Sequence, residues 1–236
     1  MDLKEENAIG GDPAGHWYYI AKGRAIKSLL GRKPVKSLLD VGAGSGVFSQ
    51  MLVNEGRAAR AICVDPNYED EFIGRRRTDR IAYVRSVETV DADLVLMADV
   101  IEHVDDDAGL IRAYAEKAAP GTRFLISVPA FQMLWSSHDE FLDHRRRYSL
   151  ASLKAAAIAG GLHPLKLRYF FGALFPVVAL ARMSEVKGEP ASASRLQAAP
   201  GWLNAALVAF HDVERLTLFP LNRVAGVTAF CLAEKR

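Results

Sequence analysis

Lys36-Ser-Leu-Leu-Asp-Val-Gly-Ala-Gly-Ser-Gly-Val-Phe-Ser-Gln50 decides the fold, because it passes from an apolar run through a glycine-rich turn straight into a helical pattern. Residues 35–41 are few and rich in Leu and Val, as in a parallel strand covered on both faces. Gly42, Gly44 and Gly46 permit positive φ and let a ligand come close to the backbone. From Phe48 the pattern is helical and stops near Gly56. Strand, glycine turn and helix in that order make a cradle for a nucleotide-like ligand.

Spacing narrows the ligand. A dinucleotide fingerprint places its third glycine three residues after the second, where this chain has Val47. Asp40, just ahead of the turn, would set a carboxylate against a pyrophosphate, whereas an ammonium group suits it. The Gly-Lys-Ser/Thr ending of a triphosphate-binding loop is missing. A second apolar run, 60–65, ends in Asp65, 23 positions after Gly42. That is near the offset of about 20 residues at which an acid binds ribose hydroxyls. The plainer reading of Asp65 is a turn cap beside Pro66.

Asp40-Val-Gly-Ala-Gly-Ser-Gly46, with Asp65 and the strand ending Asp99-Val-Ile-Glu-His103, resembles the class I S-adenosylmethionine-dependent methyltransferases over residues 37–158. His138-Asp139 with His144-Arg-Arg-Arg-Tyr148 resembles a loop of bacterial small-molecule and glycan methyltransferases. The resemblance implies a doubly wound, seven-stranded, mostly parallel α/β sheet of Rossmann-like form with an antiparallel last strand. It implies S-adenosyl-L-methionine as cofactor, its amino acid tail at Asp40, Gly42, Ala43, Gly44 and Gly46, and its ribose at Asp65 and Pro66. Ser86 and Val87 stand where such proteins contact adenine, and Asp99 ends the fourth strand at the same crevice. An N-terminal helix over residues 12–31 is expected to fold over the cofactor as a lid, with Tyr19 facing it.

At 236 residues, half of them hydrophobic, the chain suits one domain spanning 1–236. The formal net charge of +2 excludes a global field for nucleic acid or anionic membrane, and the arginines at 75–77 and 80 read as a solvated helix face. Cys63 and Cys231 lie in apolar runs and read as buried thiols. Residues 1–15 lack the apolar core of a signal peptide, and the longest apolar run, 170–181, is too short to span a bilayer. A soluble cytoplasmic protein without integral membrane association is therefore expected. Trp17, Tyr18 and Tyr19 cannot all face inward on one helix. The further strands read as 81–85, 93–99, 123–128, 162–171 and 226–234, with an α-helical insertion at about 173–217 before the last.

The expected function is transfer of a methyl group to an O or N atom of a small-molecule acceptor (a natural product, sugar or heterocycle), as a biosynthetic step. Alternatives are a non-catalytic S-adenosylmethionine-binding scaffold and a nucleotide-dependent dehydrogenase. In-line displacement needs alignment more than side-chain chemistry, but an aliphatic hydroxyl calls for a base. His138 and His144, in the long loop after the fifth strand, rank above His103 for that role, each with a neighbouring Asp. A metal cluster among His138, Asp139, Glu140, Asp143 and His144 is not assigned, because no histidine pair has helical i, i+4 spacing. Arg145, Arg146 and Arg147 are expected to form mainly structural ion pairs with Asp139, Glu140 and Asp143. The insertion is a hydrophobic cover or a homodimer contact.

Overall fold

The structure is a computed structural model and describes residues 12–183 and 199–236. Seven strands, β1 (Val35–Val41), β2 (Ala58–Val64), β3 (Ile81–Val84), β4 (Leu94–Ala98), β5 (Arg123–Pro129), β6 (Leu162–Phe170) and β7 (Thr228–Lys235), form one sheet in the order β3-β2-β1-β4-β5-β7-β6. Pairing is parallel from β3 to β5, and β7 runs antiparallel between β5 and β6. All five residues of β4 are buried. Alternate side chains enter opposite layers: Leu94 and Leu96 join Leu38, Phe48 and Phe230, while Val95 and Met97 join Leu39, Ile111 and Phe124. Two covered faces are why the central strands read as unbroken apolar runs. Strand order reverses between β1 and β4, which opens a crevice at their C-terminal ends.

Helices α1 (Trp17–Leu30), α2 (Val47–Asn54), α3 (Asp70–Arg76), α4 (Asp107–Ala115), α5 (Ser137–Phe141), α6 (Leu150–Ala159), α7 (Phe175–Met183) and α8 (Gly201–Thr217) complete the described fold. The arginine-rich α3 buries nothing, and both cysteines are buried free thiols. Of the connector expected at 187–200, residues 187–198 lie outside the described residues, as do residues 1–11. No helix among the described residues is long and apolar enough to cross a membrane.

Helix α1 corrects the expected role of Tyr19. Its ring is 1% exposed, packed against Phe48 and His16, so it is core and not a cofactor-facing lid residue. Ile20 is only half-buried, because the inward stripe runs through Tyr19, Lys22, Ile26 and Leu29. Trp17 instead stacks on His211 of α8 at 5.5 Å, and Tyr18 stacks on Phe171 at 5.3 Å. Asn204 of α8 accepts from the Trp17 amide at 2.7 Å and donates to Gly15 O at 3.0 Å. Glu214 accepts from the Gly172 amide at 2.5 Å and pairs with His211 at 2.9 Å, tying α8 to the end of β6. The insertion thus covers the N-terminal helix, while Val177, Leu180, Trp202, Val213 and Leu216 face outward and exposed.

Candidate active site

The cradle is built as its glycines require. Gly42, Gly44 and Gly46 all have positive φ, at 61°, 52° and 71°. A Cβ on Gly46 would lie 2.8 Å from Tyr83 Oη and 3.1 Å from Cys63 Sγ, and one on Gly42 would lie 2.8 Å from the Val100 methyl groups. The turn is braced from three sides. Tyr68 Oη donates to Gly44 O at 2.6 Å, Gln50 Nε2 donates to Ser45 O at 3.0 Å and to Tyr83 Oη at 2.9 Å, and the Ala43 amide donates to Val64 O at 3.1 Å. Burial pushes the Tyr83 phenol up to about 12 and raises that of Tyr68, so both stay neutral braces at ordinary pH.

Asp40 lies beneath the turn, 3% exposed, and accepts from Ser49 Oγ at 2.7 Å. Burial raises its pKa to about 6, the Ser49 hydrogen bond opposes the rise, and the charge of Asp65 adds to it. Asp65 at the end of β2 accepts from the Gly44 amide at 3.3 Å and the Asn67 amide at 3.0 Å. It therefore caps its own turn and also reaches the glycine loop. Ser86 is exposed and Val87 half-buried after β3.

Across the crevice, Asp99 follows β4 with a left-handed φ of 55° and forms an ion pair with Lys22, which is fully buried on the inner face of α1. Burial alone would lower the Lys22 pKa, but Asp99, Tyr18 and Glu102 together outweigh it and raise the pKa above the usual lysine range. The next turn, Ile101–His103, buries Glu102 completely; burial, followed by repulsion from Asp99, holds its carboxyl well above the usual carboxylate range.

The loop after β5 folds back onto that turn. Ser136 and Asp139 form a capping box that starts α5, and Asp139 ends up fully buried. Its carboxylate accepts from Arg147 Nε at 2.7 Å and pairs with His144 Nδ1 at 2.8 Å. Burial would raise the Asp139 pKa, but His144 and Arg147 together hold it well below the usual carboxylate range. An ionised Asp139 makes Nδ1 of His144 the protonated nitrogen and leaves Nε2 its lone pair. Arg146 donates to Val104 O and Asp105 O at 3.1 and 2.7 Å and sits 3.6 Å from Asp107, as Arg145 does from Asp105. All three arginines make structural contacts, as expected for at least two, and of the expected partners Asp139 takes Arg147.

The three candidate histidines divide. His103 and His144 meet edge to face at 4.7 Å, and the orienting acid of His144 is Asp139, not its neighbour Asp143. His138 is half-buried in the first turn of α5 and lies outside the group that Glu102, His103 and His144 form. The bracing residues Gln50, Tyr68 and Tyr83 carry no local sequence signal. Lys22 does: it is the one charged position in the apolar stripe of α1, and a buried lysine requires a partner.

Residues 16–167 match a family model described as a methyltransferase domain. The ubiquinone biosynthesis O-methyltransferase of Yersinia pestis (strain Pestoides F) is 30% identical over 105 residues, 39% of this chain and 42% of the relative. The match thus spans less than half the length of that curated relative. Among solved structures, a Haloferax volcanii complex between the Trm112 methyltransferase activator and a putative methyltransferase superposes with a TM-score of 0.57 at 17% identity, covering 93% of this chain and 89% of that one. Phosphoethanolamine N-methyltransferase 2 of Haemonchus contortus, in complex with S-adenosyl-L-methionine, gives a TM-score of 0.57 at 17% identity, covering 91% and 52%. These likenesses share the fold, and the family match decides for methyl transfer over a dehydrogenase or a scaffold. The chain belongs to the methyltransferase-domain family, as a class I enzyme that uses S-adenosyl-L-methionine.

Proposed function

We propose that the enzyme methylates an oxygen or nitrogen of a small-molecule acceptor, with hydroxyl oxygen the better fit. The Asp139–His144 pair carries this reading: it aims an imidazole lone pair at the end of β4, where a hydroxyl proton would have to be received or polarised. An O-methyltransferase among the curated relatives supports it. So does the modest formal net charge of +2, which offers no field for nucleic acid.

The residues present fit the cofactor. Positive φ at Gly42, Gly44 and Gly46 forms the turn and the protein packs tightly against Gly42 and Gly46, a buried carboxylate lies under the turn for an ammonium group, and Asp65 stands at the end of β2 for ribose hydroxyls. S-adenosylmethionine supplies a methyl carbon on a sulfonium leaving group. Asp40 and Gly42, Ala43, Gly44 and Gly46 hold the tail, Asp65 and Pro66 the ribose, and Ser86 and Val87 flank the adenine. Asp99, neutralised by Lys22, borders the crevice opposite. These residues would hold the cofactor with its methyl carbon available to an acceptor nucleophile, and positioning with water excluded would account for much of the rate.

The test incubates the purified chain with methyl-labelled S-adenosylmethionine and fractionated small-molecule extract, protein and RNA in parallel. Label in the dialysable fraction is the expected result. Label confined to protein or RNA would refute the reading.

A further inference from the structure

Glu102 is fully buried, and neither of its carboxylate oxygens has a hydrogen-bond partner among the described residues. A buried acid is normally hydrogen-bonded, paired or bound to a metal. Lys22, the nearest buried cation, is already committed to Asp99. What Glu102 does face is imidazole: one of its oxygens and one ring nitrogen from each of His103 and His144 all lie within 4.8 Å of one another. His144 is turned toward this point by Asp139 at 2.8 Å, the carboxylate–histidine arrangement that orients metal-binding imidazoles. Asp139 is itself held by Arg147, so the acid is fixed before any ion arrives.

We propose that Glu102, His103 and His144 bind one first-row divalent cation, zinc in the first instance, whose open coordination position takes the acceptor oxygen; the acceptor role rests on the methyl-transfer reading above. Two imidazoles and one carboxylate match open catalytic zinc sites and the facial triads of first-row metals, whereas magnesium and calcium prefer all-oxygen sets. Ligands at about 2.1 Å from zinc in tetrahedral geometry stand roughly 3.4 Å apart, so closure of about an ångström completes the site. The cluster joins a 3-10 turn after β4 to a loop some 40 residues later, which is why sequence spacing carries no metal signature. Its position at the strand end places a bound oxygen on the acceptor side of the crevice.

With the cation bound, the His144 lone pair is a ligand and not a base, and the cation takes over the polarising role: it lowers the pKa of a coordinated hydroxyl, so the proton leaves to solvent near neutral pH. The oxygen lone pair then forms the new bond to the methyl carbon while the carbon–sulfur bond breaks and its electron pair stays on sulfur. Acceptor and sulfonium become methyl ether, thioether and one proton, with no redox change.

The test uses the tag-free, full-length chain stripped with a chelator. Zinc sulfate is titrated by calorimetry, cobalt loading is followed by visible absorption, and S-adenosylmethionine binding is measured alongside. Wild type is expected to bind one zinc per chain, to melt higher with it, and to give a tetrahedral-type cobalt spectrum. Glu102→Gln, which replaces a buried acid by an uncharged amide of the same shape and so stays folded without metal, should lose the zinc-induced shift, as should His103→Ala. Asp139→Asn should weaken zinc by about 10–100-fold. All should retain S-adenosylmethionine binding. No zinc uptake by wild type, or uptake that both Glu102→Gln and His103→Ala leave intact, would overturn the site. Failure of wild type to bind S-adenosylmethionine would overturn the methyl-transfer reading, and with it the acceptor role given to the cation.

Discussion

Replacing Asp40 by Asn should change the pH dependence of stability in a way that isolates one buried carboxyl. Its pKa stands at about 6 in the fold against 3.8 when unperturbed, a rise of about two units or roughly 3 kcal/mol. Because the folded state binds the proton more tightly, the stabilisation from protonating Asp40 is fully present below pH 3.8 and is lost as pH rises through about 6. The groups around it are Ser49 on α2, Cys63 and Asp65 on and after β2, Tyr68 beyond them and Tyr83 on β3. Asn cannot titrate, still accepts from Ser49, and adds only a pH-independent cost for its amide. Urea unfolding of both ligand-free proteins between pH 4 and 7.5 therefore reads the group as a difference. The stability of Asp40→Asn relative to wild type should climb by up to about 3 kcal/mol from the acid to the neutral end. S-adenosylmethionine affinity of wild type should fall as pH drops below about 6, and that of the variant should be low throughout. Parallel stability profiles would refute the buried-acid argument.

Asp65→Ala removes the acid assigned to the ribose, and calorimetry should show cofactor affinity reduced by roughly 1.5–3 kcal/mol for each charge-assisted hydrogen bond lost. Gly46→Ala puts a methyl group at φ 71° against Tyr83 and Cys63, and urea unfolding should show a loss of about 1–3 kcal/mol with weaker cofactor binding. Lys22→Met leaves Asp99 facing a buried apolar side chain, so unfolding should register a loss of about 3–5 kcal/mol, partly restored by adding Asp99→Asn.

Local pattern carried most of the fold. Apolar runs covered on both faces and the glycine turn placed the strands and the cradle helix to within a few residues, and Asp65 could be named as the acid ending β2. Tyr19 failed because three adjacent aromatics leave open which of them faces in, and only packing against Phe48 settles it. Lys22–Asp99 spans 77 positions, Gln50–Tyr83 spans 33, and Tyr68 meets the Gly44 carbonyl 24 residues away. Such partners are set by sheet order, which no window of sequence contains. The histidines were ranked by neighbours in sequence, which favoured His138, whereas the chain path brings His103 to His144.

The two halves of the crevice are held by different physical means, and this separates what each can vary. The cofactor half is backbone: glycines at positive φ, with neutral braces from Tyr68, Tyr83 and Gln50, so its shape depends on residues that cannot gain a side chain. The acceptor half is charge: Lys22 on Asp99, Arg147 and His144 on Asp139, Arg146 on two carbonyls. Three strand ends at its rim leave through left-handed residues, Asp99 after β4, Phe131 after β5 and Phe171 after β6, each backbone turn costing of order 1–3 kcal/mol. Phe131 is held there by its amide on Tyr148 O at 2.9 Å and by stacking on Tyr169 at 4.7 Å. A wall pinned this way is shaped before the acceptor arrives. Under the proposed function, acceptor selectivity would reside in the side chains that the loop presents between its anchors, such as the exposed Met133, more than in any large closure of the loop.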